Sequence, residues 1–178
     1  MSRVWSEASG GSDFGDSSSS SPLKKPKTDP EPEIPILRRG NWDDPEYKKQ
    51  RLMFEEQIKK SEGYDVDWSN VTYNLPVLKF EWAASLSGLI SNKDLLDLLI
   101  ETAIELENEE TGSNLEFVKY VSANVEGVKG FLFYITLWAR DLNSPNQEPK
   151  LYQTKVRKFA DEISVRDFRL RPTQDLLF

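Results

Sequence analysis

Four alternating segments separated by short gaps constrain the fold of this chain more than any other feature. They read LEFVKYVSANV, FLFYITLWA, KLYQTKVRKF and SVRDFRLRP, and apolar residues recur at every second position over much of each segment. The gaps between them are EGVKG, RDLNSPNQE and ADEI. Gaps this short join antiparallel neighbours, because a parallel pair needs a crossover of roughly a dozen residues or more. The region is therefore predicted to be an antiparallel meander.

One long amphipathic helix is predicted just before the meander. Ser91 and Asp94 have the spacing of a capping box at its start. Its broad apolar face comprises Leu95, Leu96, Leu99, Ile100, Ala103, Ile104 and Leu106. Since the helix precedes a run of strands and does not alternate with them, the predicted fold class is α+β, with the helix packed across a curved antiparallel sheet of about four to five strands.

The second strand of the meander should turn its more apolar face to that helix. Successive side chains of a strand point to opposite faces of the sheet. The more apolar of the two sets consists of Phe131, Phe133, Ile135 and Leu137. We expect this set to pack on the helix face that carries Leu96, Ile100 and Ala103.

A further amphipathic helix is predicted over residues 41–63. Asp43 or Asp44 can cap it, Pro45 suits its first turn, and Gly63 suits its end. Its apolar face carries Tyr47, Phe54 and Ile58. Two interpretations remain open for this face: it packs on the domain of the same chain, or it binds a partner protein.

Residues 64–82 have an extended pattern, and they begin the predicted domain of residues 64–175. Pro76 limits the strand in this region to an edge or a bulge, because proline cannot donate a ladder hydrogen bond.

Residues 1–40 predict a disordered tail rich in serine and proline, since they contain too few apolar residues to offset the entropy of ordering. The cluster Lys24, Lys25 and Lys27 suits recognition by a nuclear import receptor. Ser21 precedes a proline and is a candidate phosphorylation site whose added negative charge would oppose that recognition. The alternative is a solvated linker whose lysines balance its acids.

Composition excludes several classes of function. The chain has no cysteine and no histidine, so it lacks a thiolate nucleophile, the commonest general base and the commonest transition-metal ligand. No catalytic residue, metal or cofactor is therefore expected, and the chain is not expected to be an enzyme. The net charge is −7 while the charges of residues 1–40 balance, so the domain is acidic and unsuited to nucleic acid.

The expected location is the nucleus, with a share in the cytoplasm. No apolar run approaches the roughly 18 residues of a membrane span, and the N-terminal residues lack the apolar core of a secretory signal. We therefore expect neither secretion nor membrane binding.

The order of the elements resembles the plant cystatins. The segments EFVKYVSANV, GFLFYITLWA and KLYQTKV follow a helix as the corresponding strands do in that family, and the similarity spans residues 86–172. Upstream, EYKKQRLMFEEQIKKSEGYDVD is similar to a narrower, plant-specific group of the cystatin/monellin superfamily that includes male-sterility-associated proteins. The resemblance implies a cystatin-like fold and a common ancestry with inhibitors of papain-like cysteine proteases.

The resemblance also implies where an inhibitory wedge would lie. Cystatins insert two hairpins and an N-terminal glycine trunk into the protease cleft. The first hairpin corresponds here to Glu126, Gly127, Val128, Lys129 and Gly130, and only Val128 and Gly130 match the family. The second corresponds to Phe159, Ala160 and Asp161, where the family's tryptophan is missing. Gly88 is the candidate for the trunk glycine, and a simple turn explains a glycine at this position equally well.

These departures favour a structural role for the first hairpin over an inhibitory one. Burying the charges of Glu126 and Lys129 in an apolar cleft would be costly. Gly127 and Gly130 are therefore predicted to provide positive φ angles at a tight turn. The expected function is that of a non-catalytic protein that acts through contacts with an unidentified protein partner, and the alternative is a papain-like protease inhibitor.

Overall fold

The computed structural model describes residues 33–173. The import cluster Lys24, Lys25 and Lys27, the candidate site Ser21, and residues 1–32 of the predicted tail lie outside the described residues, as do residues 174 and 175 at the end of the predicted domain. The helices are α1 (Pro45–Ser61) and α2 (Asn92–Thr111), and the strands are β1 (Val77–Lys79), β2 (Leu115–Val128), β3 (Gly130–Asp141), β4 (Lys150–Phe159) and β5 (Glu162–Leu170).

The strands form one antiparallel sheet in the order β1-β2-β3-β4-β5. Each strand pairs with its neighbour in sequence, as short hairpin connections require. The predicted α+β class, with a helix on an antiparallel sheet, is confirmed. None of the helices in the described part is long and apolar enough to cross a membrane.

Helix α2 covers one face of the sheet, which we call the inner face. Ser91 is its N-cap, and the Ser91 hydroxyl accepts a hydrogen bond from the backbone N–H of Asp94 at 3.1 Å, as the capping pattern predicted. Its buried side chains are Leu95, Leu96, Leu99, Ile100, Ala103 and Ile104. They join Phe133, Ile135 and Leu137, which are completely buried, in a single hydrophobic core that Phe131 borders. The predicted face of β3 is therefore correct.

Helix α1 begins at the predicted cap. The Asp44 carboxylate accepts a hydrogen bond from the backbone N–H of Glu46 at 2.9 Å, and Pro45 occupies the first turn. Tyr47 and Phe54 are buried, which favours packing within the chain over a free partner-binding face.

The segment after α1 covers the opposite face of the sheet, the outer face. The Asn124 side chain donates to the backbone carbonyls of Gly63 and Tyr64 at 2.9 and 3.1 Å, and it accepts from the Trp68 indole at 3.1 Å. Tyr64 stacks edge-on against Tyr134 with ring centroids 5.8 Å apart. The middle of the sheet is therefore buried on both faces, and the outer contact is largely polar.

Two boundaries differ from the predicted ones. The region 64–82 was predicted to be extended, but only its residues Val77–Lys79 form a strand, β1. The strand ends at Lys79 because a short 3-10 helix, Phe80–Trp82, follows directly. The place of β1 at the edge of the sheet agrees with the restriction set by Pro76. Packing also begins before residue 41, since Arg38 forms a backbone bridge with Tyr73 and its guanidinium lies 4.4 Å from the centre of that ring.

Candidate functional site

The β2–β3 turn and the β4–β5 turn lie side by side at one end of the sheet. β2 ends at Val128 and β3 begins at Gly130, so Lys129 alone forms the first turn. Phe159 lies opposite Glu162, and Ala160 and Asp161 form the second turn. Because Phe131 pairs with Lys158, the two turns are neighbours. We call residues 126–130 and 159–161 together the hairpin end.

Gly130 allows the two hairpins to touch. Its φ is +84°, and a Cβ built on it would lie 2.2 Å from the carbonyl oxygen of Lys158 and 2.9 Å from the Cα of Phe159. Only a residue without a side chain combines this φ with this approach of two backbones. The prediction of a positive φ is confirmed for Gly130.

The same prediction is wrong for Gly127. Gly127 lies within β2 opposite Phe131, its φ is outside the left-handed region, and a Cβ built on it would meet no atom within 4 Å. The turn is one residue long, which leaves Gly127 inside the ladder, so its backbone stays extended.

Arg157 joins the first turn to the second. Its guanidinium donates two hydrogen bonds to the carbonyl oxygen of Lys129, from Nε at 3.1 Å and from Nη2 at 2.7 Å. The Phe159 ring has the Lys129 ammonium and the Arg157 guanidinium each 5.2 Å from its centre. Such cation–π contacts contribute about 0.5–1 kcal/mol each at exposed positions. The hairpin end is thus a preformed surface with exposed Val128 and Phe159 and a basic rim.

Glu126 does not lie at the tip. Its carboxylate accepts a hydrogen bond from the Tyr134 hydroxyl at 2.7 Å, on the outer face of the sheet. Burial of the phenol and this carboxylate partner raise the pKa of Tyr134, so the tyrosine stays a donor. Of the two charges predicted in the first hairpin, only that of Lys129 projects from the turn.

The segment that pairs beside the first hairpin is β1, and it does not include Gly88. Val77 lies opposite Glu126, so Pro76 comes level with Gly127. Gly88 follows β1 instead, in the exposed loop that leads to α2, and belongs to no strand. The start of β1 at Val77, and not Gly88, therefore pairs beside the first hairpin.

Sequence reasoning missed Arg157. A usable signal was present, since Arg157 and Phe159 are two positions apart in a strand and so project from the same face. The partner of Arg157 is a backbone carbonyl across the hairpin, and only the strand register reveals such a contact.

A second concave region lies toward the other end of the sheet, between α2 and β5. Its volume is about 640 Å³, and its polar lining consists of Glu107, Glu109, Glu110, Arg166 and Asp167. Burial, followed by the nearby carboxylates of Glu110 and Asp167, raises the pKa of Glu107. Within residues 33–173, no group of three or more acidic side chains is placed to hold a metal ion.

Comparison with models of known protein families gave no match, and comparison with curated proteins found no significant similarity.

Proposed function

We propose that the chain is a non-catalytic protein of cystatin-like fold that acts by binding another protein through the hairpin end. The order of a long helix followed by a four-stranded meander supports the fold assignment and the relationship to the plant cystatin/monellin group. The observation that carries the function is the contact between the two turns, in which Arg157 binds the Lys129 carbonyl and the Phe159 ring contacts the Lys129 and Arg157 cations.

The arrangement suits binding for a physical reason. A surface that is ordered before it meets its partner loses less conformational entropy on association. Val128 and Phe159 are 44 % and 38 % exposed, so both offer apolar area to a partner. Lys129, Arg157 and Lys158 favour a partner surface that carries acidic groups around an apolar centre. The proposed location is the nucleus, on the strength of the lysine cluster in the tail.

Removing the apolar tips should abolish partner binding. We expect the double variant Val128→Ser, Phe159→Ser to lose a protein that the full-length wild-type chain captures from a plant nuclear extract. Leu142→Ser is the matched control, because Leu142 is 37 % exposed in the loop at the other end of the sheet. Quantitative mass spectrometry of the captured proteins measures the difference. Equal capture by the two variants would contradict the proposal.

The alternative function, inhibition of a papain-like protease, is favoured by the side-by-side hairpins alone. We expect micromolar protein to leave papain uninhibited, because a charged Lys129 forms the tip and the second hairpin has no tryptophan. Burying an ammonium group in an apolar cleft without a partner costs several kcal/mol, on the order of the loss that would make a tight inhibitor ineffective. Hydrolysis of a fluorogenic peptide by papain measures the effect, and nanomolar inhibition would establish the alternative.

A further inference from the structure

In the described part of the chain, the first half of β2 has a strand neighbour on one edge only, which leaves its other edge free. β1 pairs only with Asn124–Glu126, so residues 115–122 pair with β3 alone. Three apolar side chains of this stretch are exposed, namely Phe117, Val118 and Val121. Exposed strand edges with apolar side chains are templates for an added strand.

Hydrogen bonds at the start of β2 reveal which backbone groups point away from β3. The N–H of Leu142 donates to the carbonyl of Asn114 at 2.9 Å. Leu115 pairs with Asp141, and this bond flanks that pair. Leu115 and Asp141 are therefore a non-hydrogen-bonded pair, in which the N–H and C=O of each residue point away from the other strand. The same orientation recurs two residues later, so the N–H of Phe117 also points outward, just before the bulge between Phe117 and Lys119.

Asn108 already occupies the first of these outward positions. Its side-chain amide accepts from the Leu115 N–H at 2.7 Å and donates to the Leu115 carbonyl at 3.0 Å, as a neighbouring strand would. Among the hydrogen bonds of residues 33–173, no side chain binds the backbone of Phe117 in this way. Phe117 is therefore the first position at which an added strand could pair.

A groove runs beside this position, between α2 and β2. Its volume is about 530 Å³, and Ile100, Ile104 and Leu115 form its apolar floor. Phe117 forms one wall and is 42 % exposed. We call this region the α2–β2 groove.

The rim of the α2–β2 groove is acidic. Asp97, Glu101 and Glu105 are spaced four residues apart on α2, so they lie in one row along the groove. Asp97 pairs with Lys93 at 3.0 Å, whereas no ion pair within residues 33–173 involves Glu101 or Glu105. A ligand that covered the apolar floor would need to bring positive charges to these two carboxylates.

We propose that the α2–β2 groove binds an extended, basic segment of a partner protein, which adds a short strand to β2 at Phe117. The residue paired with Phe117 is apolar and lies over Ile104. The residues two positions before and after it are lysine or arginine, because alternate side chains of a strand share a face and so reach toward Glu101 and Glu105. The bulge after Phe117 keeps the paired stretch short, so charge contributes much of the affinity.

A labelled peptide with the acetylated sequence TKTVTKT tests the proposal, because it places two lysines and the valine on one face. We expect full-length protein to bind it at low salt, measured by fluorescence anisotropy, and not to bind TETVTET. The isomer TTKVKTT, which moves the lysines to the other face, should bind at least fivefold more weakly. Equal binding of all three peptides, or of none, would overturn the proposal.

Variants of the protein locate the site. Glu101→Gln with Glu105→Gln should weaken binding about tenfold, whereas the same change at Glu107 and Glu110, which line the concave region between α2 and β5, should weaken it less than twofold. Phe117→Pro should abolish binding, because it removes the outward N–H while leaving the ladder to β3 intact, and Phe117→Ala should retain part of it. In wild-type protein, backbone NMR shifts should change at Phe117 and Glu105. Changes confined to the hairpin end, or equal losses from both glutamate pairs, would refute the site.

Discussion

Replacing Phe133 by alanine is expected to lower the free energy of unfolding by about 3–5 kcal/mol, the range for deleting a buried aromatic side chain. Phe133 is completely buried. Its ring lies 6.2 Å from that of Phe80 and 6.4 Å from that of Phe131, in the core between α2 and the sheet. Truncation would leave a cavity among close-packed neighbours that cannot easily collapse. Urea denaturation followed by circular dichroism measures the change.

Phe117→Ala is the control for this experiment, because it removes the same side chain from a site that is 42 % exposed. Its cost should stay below about 1 kcal/mol, as is usual for surface positions. A loss of less than about 1 kcal/mol for Phe133→Ala would mean that the inner and outer faces of β3 are assigned the wrong way round.

Replacing Gly130 by alanine is expected to lower the free energy of unfolding by about 2–4 kcal/mol. An alanine at φ +84° is strained, and the new Cβ would lie 2.2 Å from the Lys158 carbonyl oxygen. Backbone atoms cannot move aside as a flexible side chain can, so the two hairpins would have to separate. Urea denaturation measures the stability, and NMR shifts of residues 129 and 159 report the separation.

Gly127→Ala adds the same methyl group three residues away and serves as the control. A Cβ there meets no atom within 4 Å, and the backbone is extended. The expected change is within about 0.5 kcal/mol. Equal losses for the two variants would contradict the register that makes Lys129 the whole of the turn.

The inner face of the sheet could be predicted from the sequence because two periodicities agree there. The apolar row of α2 and the alternate apolar residues of β3 must bury each other, and the short gaps leave only an antiparallel meander to hold them. The capping residue Ser91 could be predicted from its spacing to Asp94. Predictions of this kind depend on residues close together in the chain.

The hairpin end and the outer face could not be predicted in the same way. The backbone conformation of Gly127 depends on the register between β2 and β3. A register shift of one residue would have placed Gly127 in the turn. Asn124, Thr136 and Gln153 are polar and alternate with core residues, so the pattern suggests a solvent-facing surface, yet all three are buried. Asn124 is buried because its amide binds Gly63, Tyr64 and Trp68, which are far away in sequence.

The segment after α1, which covers the outer face, lies outside the region of family resemblance but is needed for the sheet to fold. Residues 86–172 carry the resemblance, but Asn124 and Tyr134 depend on Gly63 and Tyr64, and Arg169 forms an ion pair with Glu62. A fragment that began at residue 86 would expose the side-chain amide of Asn124 and the ring of Tyr134 on the outer face of the sheet. Proteolysis between α1 and β1 is therefore expected to destabilise the outer face of the sheet, because the upstream segment and the meander form one folding unit.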